Sequence, residues 1–184
     1  MFSFFERLVE PFPQDMPEQP PKGLVAFCRY YSKGMWPAIF AVSILAAAIA
    51  MLEVSLFGFV GQLVDWLASK DPDTFLSEER SSLIWMGTVV LIILPSCVAL
   101  QSLINHQTLM VNYPMRIRWQ AHRYLIGQSV SFFQNEFAGR IATKVMQTAL
   151  SVRQSVMQLL NLLVYISVYF LSIVVMVFTI DWRL

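Results

Sequence analysis

Three long segments of this 184-residue chain contain no Asp, Glu, Lys or Arg: residues 34–52, 81–115 and 154–180. A helix needs roughly 20 residues to cross a hydrocarbon core of about 30 Å, and each segment is about that long or longer. Hydrophobic residues make up 57% of the chain and charged residues 14%, whereas a soluble domain of this size needs more polar surface. The sequence therefore predicts an all-α integral membrane protein with several spans.

Charge and cysteine content argue against several other classes. A net charge of +1 argues against nucleic-acid binding, which depends on concentrated basic charge. Cys28 and Cys97 are expected at different depths in the membrane, and neither belongs to a C-x-x-C or Cys/His metal pattern. His106 and His122 have no nearby acidic partner in sequence and are interpreted as ordinary surface or packing residues. We expect no catalytic, metal-binding or cofactor-binding cluster in this chain.

The N-terminal region has two parts. Residues 1–23 are rich in proline, which cannot continue a helix, and they are predicted to form an extended cytoplasmic arm. Residues 1–9 carry Glu6 and are too short for the apolar region of a signal peptide. Residues 24–33 mix aromatic with basic side chains, a pattern typical of a helix that lies in the membrane interface.

The predicted spans cover about residues 36–66, 83–106 and 156–179. The loop between the second and third spans is strongly basic, and Glu136 is its one acid. Because basic residues are retained on the cytoplasmic side of a membrane, this loop and the N-terminus are expected in the cytoplasm and the acidic turn at 70–80 outside. The basic side chains of the loop are Arg116, Arg118, Arg123, Arg140, Lys144 and Arg153.

The helical pattern continues well past the second span. Residues 83–129 are interrupted only by Pro95 and Pro114, and a helix of that length measures roughly 70 Å against about 30 Å of hydrocarbon. A second helical pattern then returns to the third span, so a long cytoplasmic helical hairpin is predicted at about residues 107–155. Such a hairpin is either a spacer or a lever that carries motion between a cytoplasmic domain and the membrane. We favour the lever, because a spacer does not need two continuous helices of matched length.

The hairpin carries a set of residues in a recognisable order. An arginine and a leucine in the descending helix precede a pair of aromatics, a glycine and a hydroxyl–base pair: Arg123, Leu125, Phe132, Phe133, Gly139, Thr143 and Lys144. With this order, residues 118–156 resemble the first intracellular loop of ABC exporters of the lipid-flippase and multidrug type. The resemblance covers about residues 24–184, and residues 24–33 resemble the elbow helix of that family. The chain departs from the family pattern at Gln134 and Thr148, where the family often has an acid.

The resemblance implies a role for the tip of the hairpin. In ABC exporters this tip is a short coupling helix that lies against the nucleotide-binding domain. Here it would comprise Phe132, Phe133, Gln134, Asn135, Glu136, Phe137 and Ala138. Large apolar side chains exposed to the cytoplasm normally mark a docking site, which agrees with the phenylalanines at this tip. The alternative is that these phenylalanines close the hairpin tip on itself.

The resemblance implies an ATP-driven exporter that moves a lipid, drug or peptide-like amphipathic substrate by alternating access, as a homo- or heterodimer in a bacterial inner membrane. No G-x-x-x-x-G-K-[ST] motif occurs, so ATP and Mg²⁺ are expected in a nucleotide-binding domain, C-terminal in the same polypeptide or on a separate chain. The chain looks like the N-terminal half of a transmembrane domain, and by itself it is expected neither to hydrolyse ATP nor to transport. The alternative is a free-standing three-span scaffold or adaptor protein.

Glu53 is the one formally charged residue deep within a predicted span. An ionised carboxylate in lipid costs at least a few kcal/mol, so Glu53 is expected to face a cavity, find a partner or be protonated. Two interpretations stay open: a polar contact in the substrate pathway, or a helix–helix hydrogen bond within the dimer. The small residues just before Glu53 predict close helix packing, and Pro95 predicts a kink in the second span.

Overall fold

The computed structural model describes residues 8–14, 19–69, 75, 78–135 and 137–180, with the backbone alone at 135, 176, 177, 179 and 180. All regular secondary structure in these residues is helical, which confirms the all-α prediction. The helices are α1 (Leu24–Tyr31), α2 (Trp36–Ser69), α3 (Arg80–Ile126), α4 (Val130–Asn135) and α5 (Ala138–Ile180). Most of the predicted acidic turn at 70–80 lies outside the described residues. Helix α1 occupies most of the segment predicted to lie in the interface, and its position in a membrane stays a prediction.

Three of these helices, α2, α3 and α5, are long and apolar enough to cross a membrane. They contain the three predicted spans, so the predicted membrane-spanning helices are confirmed by length and composition. Helix α3 has 47 residues and α5 has 43. At about 1.5 Å per residue, each is roughly 30–40 Å longer than a single crossing requires.

Helix α2 buries one stripe of small and aliphatic side chains. They recur every three or four residues and therefore lie on one face of the helix: Ala38, Ile39, Val42, Ala46, Ile49 and Ala50. The rest of the helix exposes large apolar side chains such as Phe40, Ile44 and Phe57. A helix that is apolar all round is typical of a membrane span. Ala46 and Ala50 are fully buried one turn apart, which agrees with close packing around small residues.

The chain divides into two units, each with an apolar core of its own. The first consists of Met1–Val42 and Leu103–Leu160, and the second of Ser43–Ser102 and Asn161–Leu184. The most deeply buried large side chains of the first unit come from the turn before α2, the start of α2 and α3: Met35, Ile39, Leu109, Tyr113 and Ile117. Those buried in the second unit come from α2, α3 and α5: Ala46, Ile49, Ala50, Met86, Val89 and Val168.

Helix α3 contains two π-helical segments, Val89–Ile93 and Ile104–Leu109. Each precedes a proline of the same helix, Pro95 or Pro114. A proline ring clashes with the carbonyl group four residues earlier, and for Pro95 that group lies in the first π-helical segment. The wider turn makes room for the ring, so the helix continues through Pro95. The kink predicted at Pro95 stays a prediction.

Candidate functional site

The expected coupling segment lies between α3 and α5. After α3 the N–H of Gln128 donates to the carbonyl oxygen of Leu125 at 2.9 Å, which closes the last turn of that helix. Helix α4 follows at Val130–Asn135, and α5 begins at Ala138. The structure therefore has a separate short helix here, although it begins and ends slightly before the expected segment, residues 132–138.

The phenylalanines of this segment are unevenly buried. The rings of Phe132 and Phe133 pack edge to face, with centroids 5.4 Å apart. Phe132 is half-buried, whereas Phe133 is 45% exposed and Phe137 is 80% exposed. Within this chain, the side chains of Phe133 and Phe137 are therefore exposed.

The other residues around the tip extend this surface. Gln134 and Ala138 are exposed, and Val130 at the start of α4 is 73% exposed. Glu136 and the side chain of Asn135 lie outside the described residues. The tip therefore exposes several large apolar side chains together within this chain.

The proline-rich arm packs against α3 within the first unit. The indole N–H of Trp119 donates to the carbonyl oxygen of Pro13 at 3.0 Å. The ring of Phe12 meets the Trp119 ring edge to face, with centroids 5.4 Å apart, and Val9 and Pro13 are buried. An extended segment has no internal backbone pairing, so its carbonyl groups are available to donors on α3. Residues 8–14 are thus part of the folded unit.

Two arginines of α3 contact the same arm. Arg116 donates from Nη1 to the carbonyl oxygen of Glu10 at 2.8 Å, and Arg123 donates to that of Gln14. Arg116, Trp119 and Arg123 are three and four residues apart, so they lie on one face of α3. Sequence reasoning interpreted the arginines as charges that set orientation and did not connect them with the arm. Their shared face with Trp119 was the available signal.

A buried polar contact joins the end of α1 to α3. The hydroxyl of Ser32 donates to the carbonyl oxygen of Cys28 at 2.6 Å, and it also hydrogen-bonds with the hydroxyl of Tyr113. Ser32 and Tyr113 are almost completely buried, and buried hydroxyl groups need such partners. Burial also raises the pKa of the neighbouring Tyr31 phenol above its ordinary value. This phenol is therefore neutral at physiological pH.

An open groove of about 910 Å³ lies in the first unit, bounded by α1, the start of α2 and α5. Its walls are mostly apolar and include Phe27, Trp36 and Leu159. Ser151 contributes a hydroxyl group on the α5 side, and Arg29 is the one charged side chain among the described residues that line it. The groove therefore combines a large apolar wall with a polar edge.

Glu53 lies in the second unit, where it contacts α5. The hydroxyl of Tyr169 donates to Oε2 of Glu53 at 2.7 Å. The ring of Tyr165, one turn earlier in α5, lies nearly parallel to the Tyr169 ring, with an interplanar angle of 19° and centroids 6.3 Å apart. The structure thus contains a helix–helix hydrogen bond of Glu53 within this chain, while the two interpretations of Glu53, a contact in the substrate pathway or a bond within the dimer, stay predictions. Sequence reasoning missed both tyrosines, because no local pattern connects them with Glu53.

The described residues hold no cluster of metal-ligating side chains. No group of three or more His, Cys, Asp or Glu side chains comes together among them. Cys28 and Cys97 are free thiols. The sequence has no phosphate-binding loop, so the residues of this chain do not fit ATP and its Mg²⁺.

Comparison with known proteins agrees with this architecture. The family described as the ABC transporter transmembrane region matches residues 36–184. A Haemophilus influenzae protein described as an uncharacterized ABC transporter ATP-binding protein is 43% identical over 183 residues. That alignment covers 98% of this chain but 29% of the relative, so the chain spans less than a third of the relative's length. No solved structure matches the chain.

The chain therefore belongs to the ABC transporter transmembrane region family. This finding confirms the resemblance to the transmembrane domain of an ABC transporter. It also confirms an integral membrane protein that is a component of a transporter. The family implies an ATP-binding partner domain, in agreement with the name of the Haemophilus relative.

Proposed function

We propose that this chain is the membrane-spanning part of an ATP-driven exporter, which moves an amphipathic substrate by alternating access. The family and the three apolar helices support a membrane component of a transporter. The observation that carries the proposal is the apolar tip at α4, where Phe133 and Phe137 are exposed between two helices much longer than one membrane crossing. Such a surface gives a cytoplasmic motor domain a contact through which it can move the spans.

The tip is the proposed contact with the nucleotide-binding domain. Phe132, Phe133 and Phe137 would enter an apolar cleft of that domain, and the remaining residues of the segment would form the rim. Burying one large aromatic side chain contributes roughly 1.5–3 kcal/mol, so these rings together are enough for a mechanical joint. The edge-to-face packing of Phe132 on Phe133 restricts both rings before docking and so lowers the entropy lost on binding.

ATP and Mg²⁺ would be held by that domain, because this chain has no phosphate-binding loop. The Haemophilus relative is named as an ATP-binding protein, and the alignment covers 29% of it. Both facts support a nucleotide-binding domain in the same polypeptide or in an associated one. Closure of two such domains would move the α4 tips of the two halves of a homo- or heterodimer.

The substrate and the location are also part of this proposal. The groove of the first unit, with its apolar wall and polar edge, supports an amphipathic substrate such as a lipid, a drug or an apolar peptide. The strongly basic loop supports a cytoplasmic α4 and N-terminus, because basic loops are retained on that side. We assign the protein to a bacterial inner membrane.

Phe133→Ala tests the joint in the transporter assembled with its nucleotide-binding domain and reconstituted in liposomes. The substitution removes apolar area from the proposed contact and leaves the spans unchanged. We therefore expect the substrate moved per ATP hydrolysed to fall about tenfold or more. The readout is the transport of a fluorescent phospholipid analogue and of labelled tetraphenylphosphonium, each divided by the phosphate released.

Phe178→Ala is the matched control, because it removes the same ring from an exposed position in α5. It should leave the transport per ATP unchanged. If the Phe133→Ala variant and the unmodified transporter move the same amount of substrate per ATP hydrolysed, the proposed contact between α4 and the nucleotide-binding domain is contradicted. If the unmodified assembly shows no ATP-dependent transport of either probe, the interpretation as a scaffold or adaptor is favoured over the interpretation as an exporter.

A further inference from the structure

Only one of the two carboxylate oxygens of Glu53 accepts a hydrogen bond from the described residues of its unit. Oε2 accepts a hydrogen bond from Tyr169 at 2.7 Å, and the described residues give Oε1 none. Glu53 is half-buried, so this oxygen is open to the space beside α2. One neutral hydrogen bond does not replace the hydration that an ionised carboxylate loses in a membrane. An ionised Glu53 therefore needs a further polar or charged group at Oε1.

The spans contain no lysine or arginine that could supply this group. Residues 34–69, 81–115 and 154–180 lack both. A negative charge in hydrocarbon is stabilised most by a positive one, since the low dielectric strengthens their attraction. A cation that stabilises an ionised Glu53 would therefore come from outside these segments.

The tyrosines beside Glu53 add the second feature of a cation site. Tyr165 and Tyr169 are both half-buried, so each has ring surface open to a ligand. Their rings lie nearly parallel, one turn apart on the same helix. The face of an aromatic ring attracts organic cations, and this attraction is larger where water is excluded. A carboxylate next to two partly open tyrosine rings therefore favours an organic cation over a neutral ligand.

We propose that Glu53, Tyr165 and Tyr169 form a recognition site for a lipophilic organic cation, such as the quaternary ammonium or phosphonium head of a substrate. This assignment rests on the proposed exporter function, of which it names the substrate class. Glu53 supplies the charge, and Tyr169 orients the carboxylate by donating its hydroxyl hydrogen. Tyr165 supplies an aromatic face.

The test compares two probes of the same size and opposite charge, tetraphenylphosphonium and tetraphenylborate. Saturable binding of each is measured to the transporter assembled with its nucleotide-binding domain in lipid nanodiscs. In the unmodified protein, tetraphenylphosphonium should bind saturably and tetraphenylborate should not compete with it. Glu53→Gln should weaken tetraphenylphosphonium binding about tenfold or more. Tyr165→Leu should weaken it about threefold to tenfold, since only the aromatic face is lost.

Two matched controls lie on the same helix as Glu53. Asp65→Asn removes the other carboxylate of α2, and Ser55→Ala removes a hydroxyl that hydrogen-bonds only to its own helix, at the carbonyl oxygen of Leu52. Neither should change binding of either probe. If Glu53→Gln fails to assemble, Tyr165→Leu decides the question, because it leaves the carboxylate and its hydrogen bond to Tyr169 in place.

Three results would overturn the cation site. They are absence of saturable tetraphenylphosphonium binding, equal binding by the Glu53→Gln variant, and equal affinity for the anionic probe. The experiments can contradict the proposed cation site and the proposed exporter function separately. ATP-driven transport of the phospholipid analogue without saturable cation binding would contradict only the proposed cation site. Cation binding that depends on Glu53, without any ATP-dependent transport, would contradict the exporter function and support the cation site.

Discussion

Gly34 lies in the turn between α1 and α2, where its φ of +87° is in the left-handed region. A Cβ atom built on this residue would lie 2.7 Å from Nη2 of Arg116. The guanidinium group thus occupies the space that a side chain would take, while its Nη1 donates to the carbonyl oxygen of Glu10. The absence of a side chain at Gly34 lets one arginine contact both the turn before the first span and the N-terminal arm.

Gly34→Ala should destabilise the first unit. A non-glycine residue in the left-handed region costs roughly 1–2 kcal/mol, and the added methyl group would also displace Arg116. We expect the midpoint of thermal unfolding of the assembled transporter in detergent to fall by about 2–8 °C.

Gly61→Ala is the control for this change. A Cβ atom at Gly61 meets nothing within 4 Å, and the residue lies inside α2. Alanine is the better helix former, so this variant should be as stable as the unmodified protein or slightly more stable. Equal midpoints for Gly34→Ala and Gly61→Ala would show that the turn tolerates a side chain.

At the scale of elements, the contact between the arm and α3 depends on few side chains. Trp119 both donates to Pro13 and packs on Phe12, so Trp119→Ala removes a hydrogen bond and an aromatic pair together. These interactions contribute about 1–3 kcal/mol in total. We expect the arm to detach in a measurable fraction of molecules, which a spin label at the exposed Leu8 would report as faster motion.

Trp85→Ala is the matched control for the arm. Trp85 is also a tryptophan of α3, but it is 58% exposed and belongs to the second unit. The label at Leu8, in a background without Cys28 and Cys97, should move as in the unmodified protein. Unchanged label motion in both variants would mean that the arginines alone hold the arm.

The spans were predictable because hydrocarbon tolerates few charges, and uncharged segments of this length have no other common use. Glu53 was recognisable from the sequence for the same reason, because a charged residue is rare within such a segment. Its partner Tyr169 lies 116 residues away along the chain, and no local pattern encodes a contact at that separation. The π-helical segments of α3 were not predictable either, since one widened turn leaves the apolar pattern almost unchanged. The exact bounds of α4 depend on turns at both of its ends, where periodicity gives no signal.

At the scale of the whole molecule, the exposed faces of the long helices define its environment. Phe57 in α2, Leu91 in α3 and Phe170 in α5 are 70%, 76% and 65% exposed. Water disfavours so much apolar surface, whereas lipid chains or further membrane helices cover it at no such cost. We therefore expect lipid or further membrane helices to cover these faces.

Orientation decides whether α4 can meet a cytoplasmic motor domain at all. The loop at 107–155 carries one acid among several bases, which predicts that it faces the cytoplasm, with the turn at 70–80 outside. In a background without Cys28 and Cys97, single cysteines are introduced at Glu78 and Lys144, which are matched in exposure. Intact cells with a permeable outer membrane are then treated with a maleimide that cannot cross the inner membrane.

We expect the cysteine at position 78 to be labelled in intact cells and that at 144 only after permeabilisation of the inner membrane. A second pair, at Asp73 and Glu136, should give the same result. Labelling of both sites after permeabilisation is the control, since it shows that each thiol can react. The reverse pattern would place α4 outside the cell, where ATP and a nucleotide-binding domain are absent, and the exporter proposal would then fail. Labelling at both 78 and 144 in intact cells would mean that α3 does not cross the membrane between them.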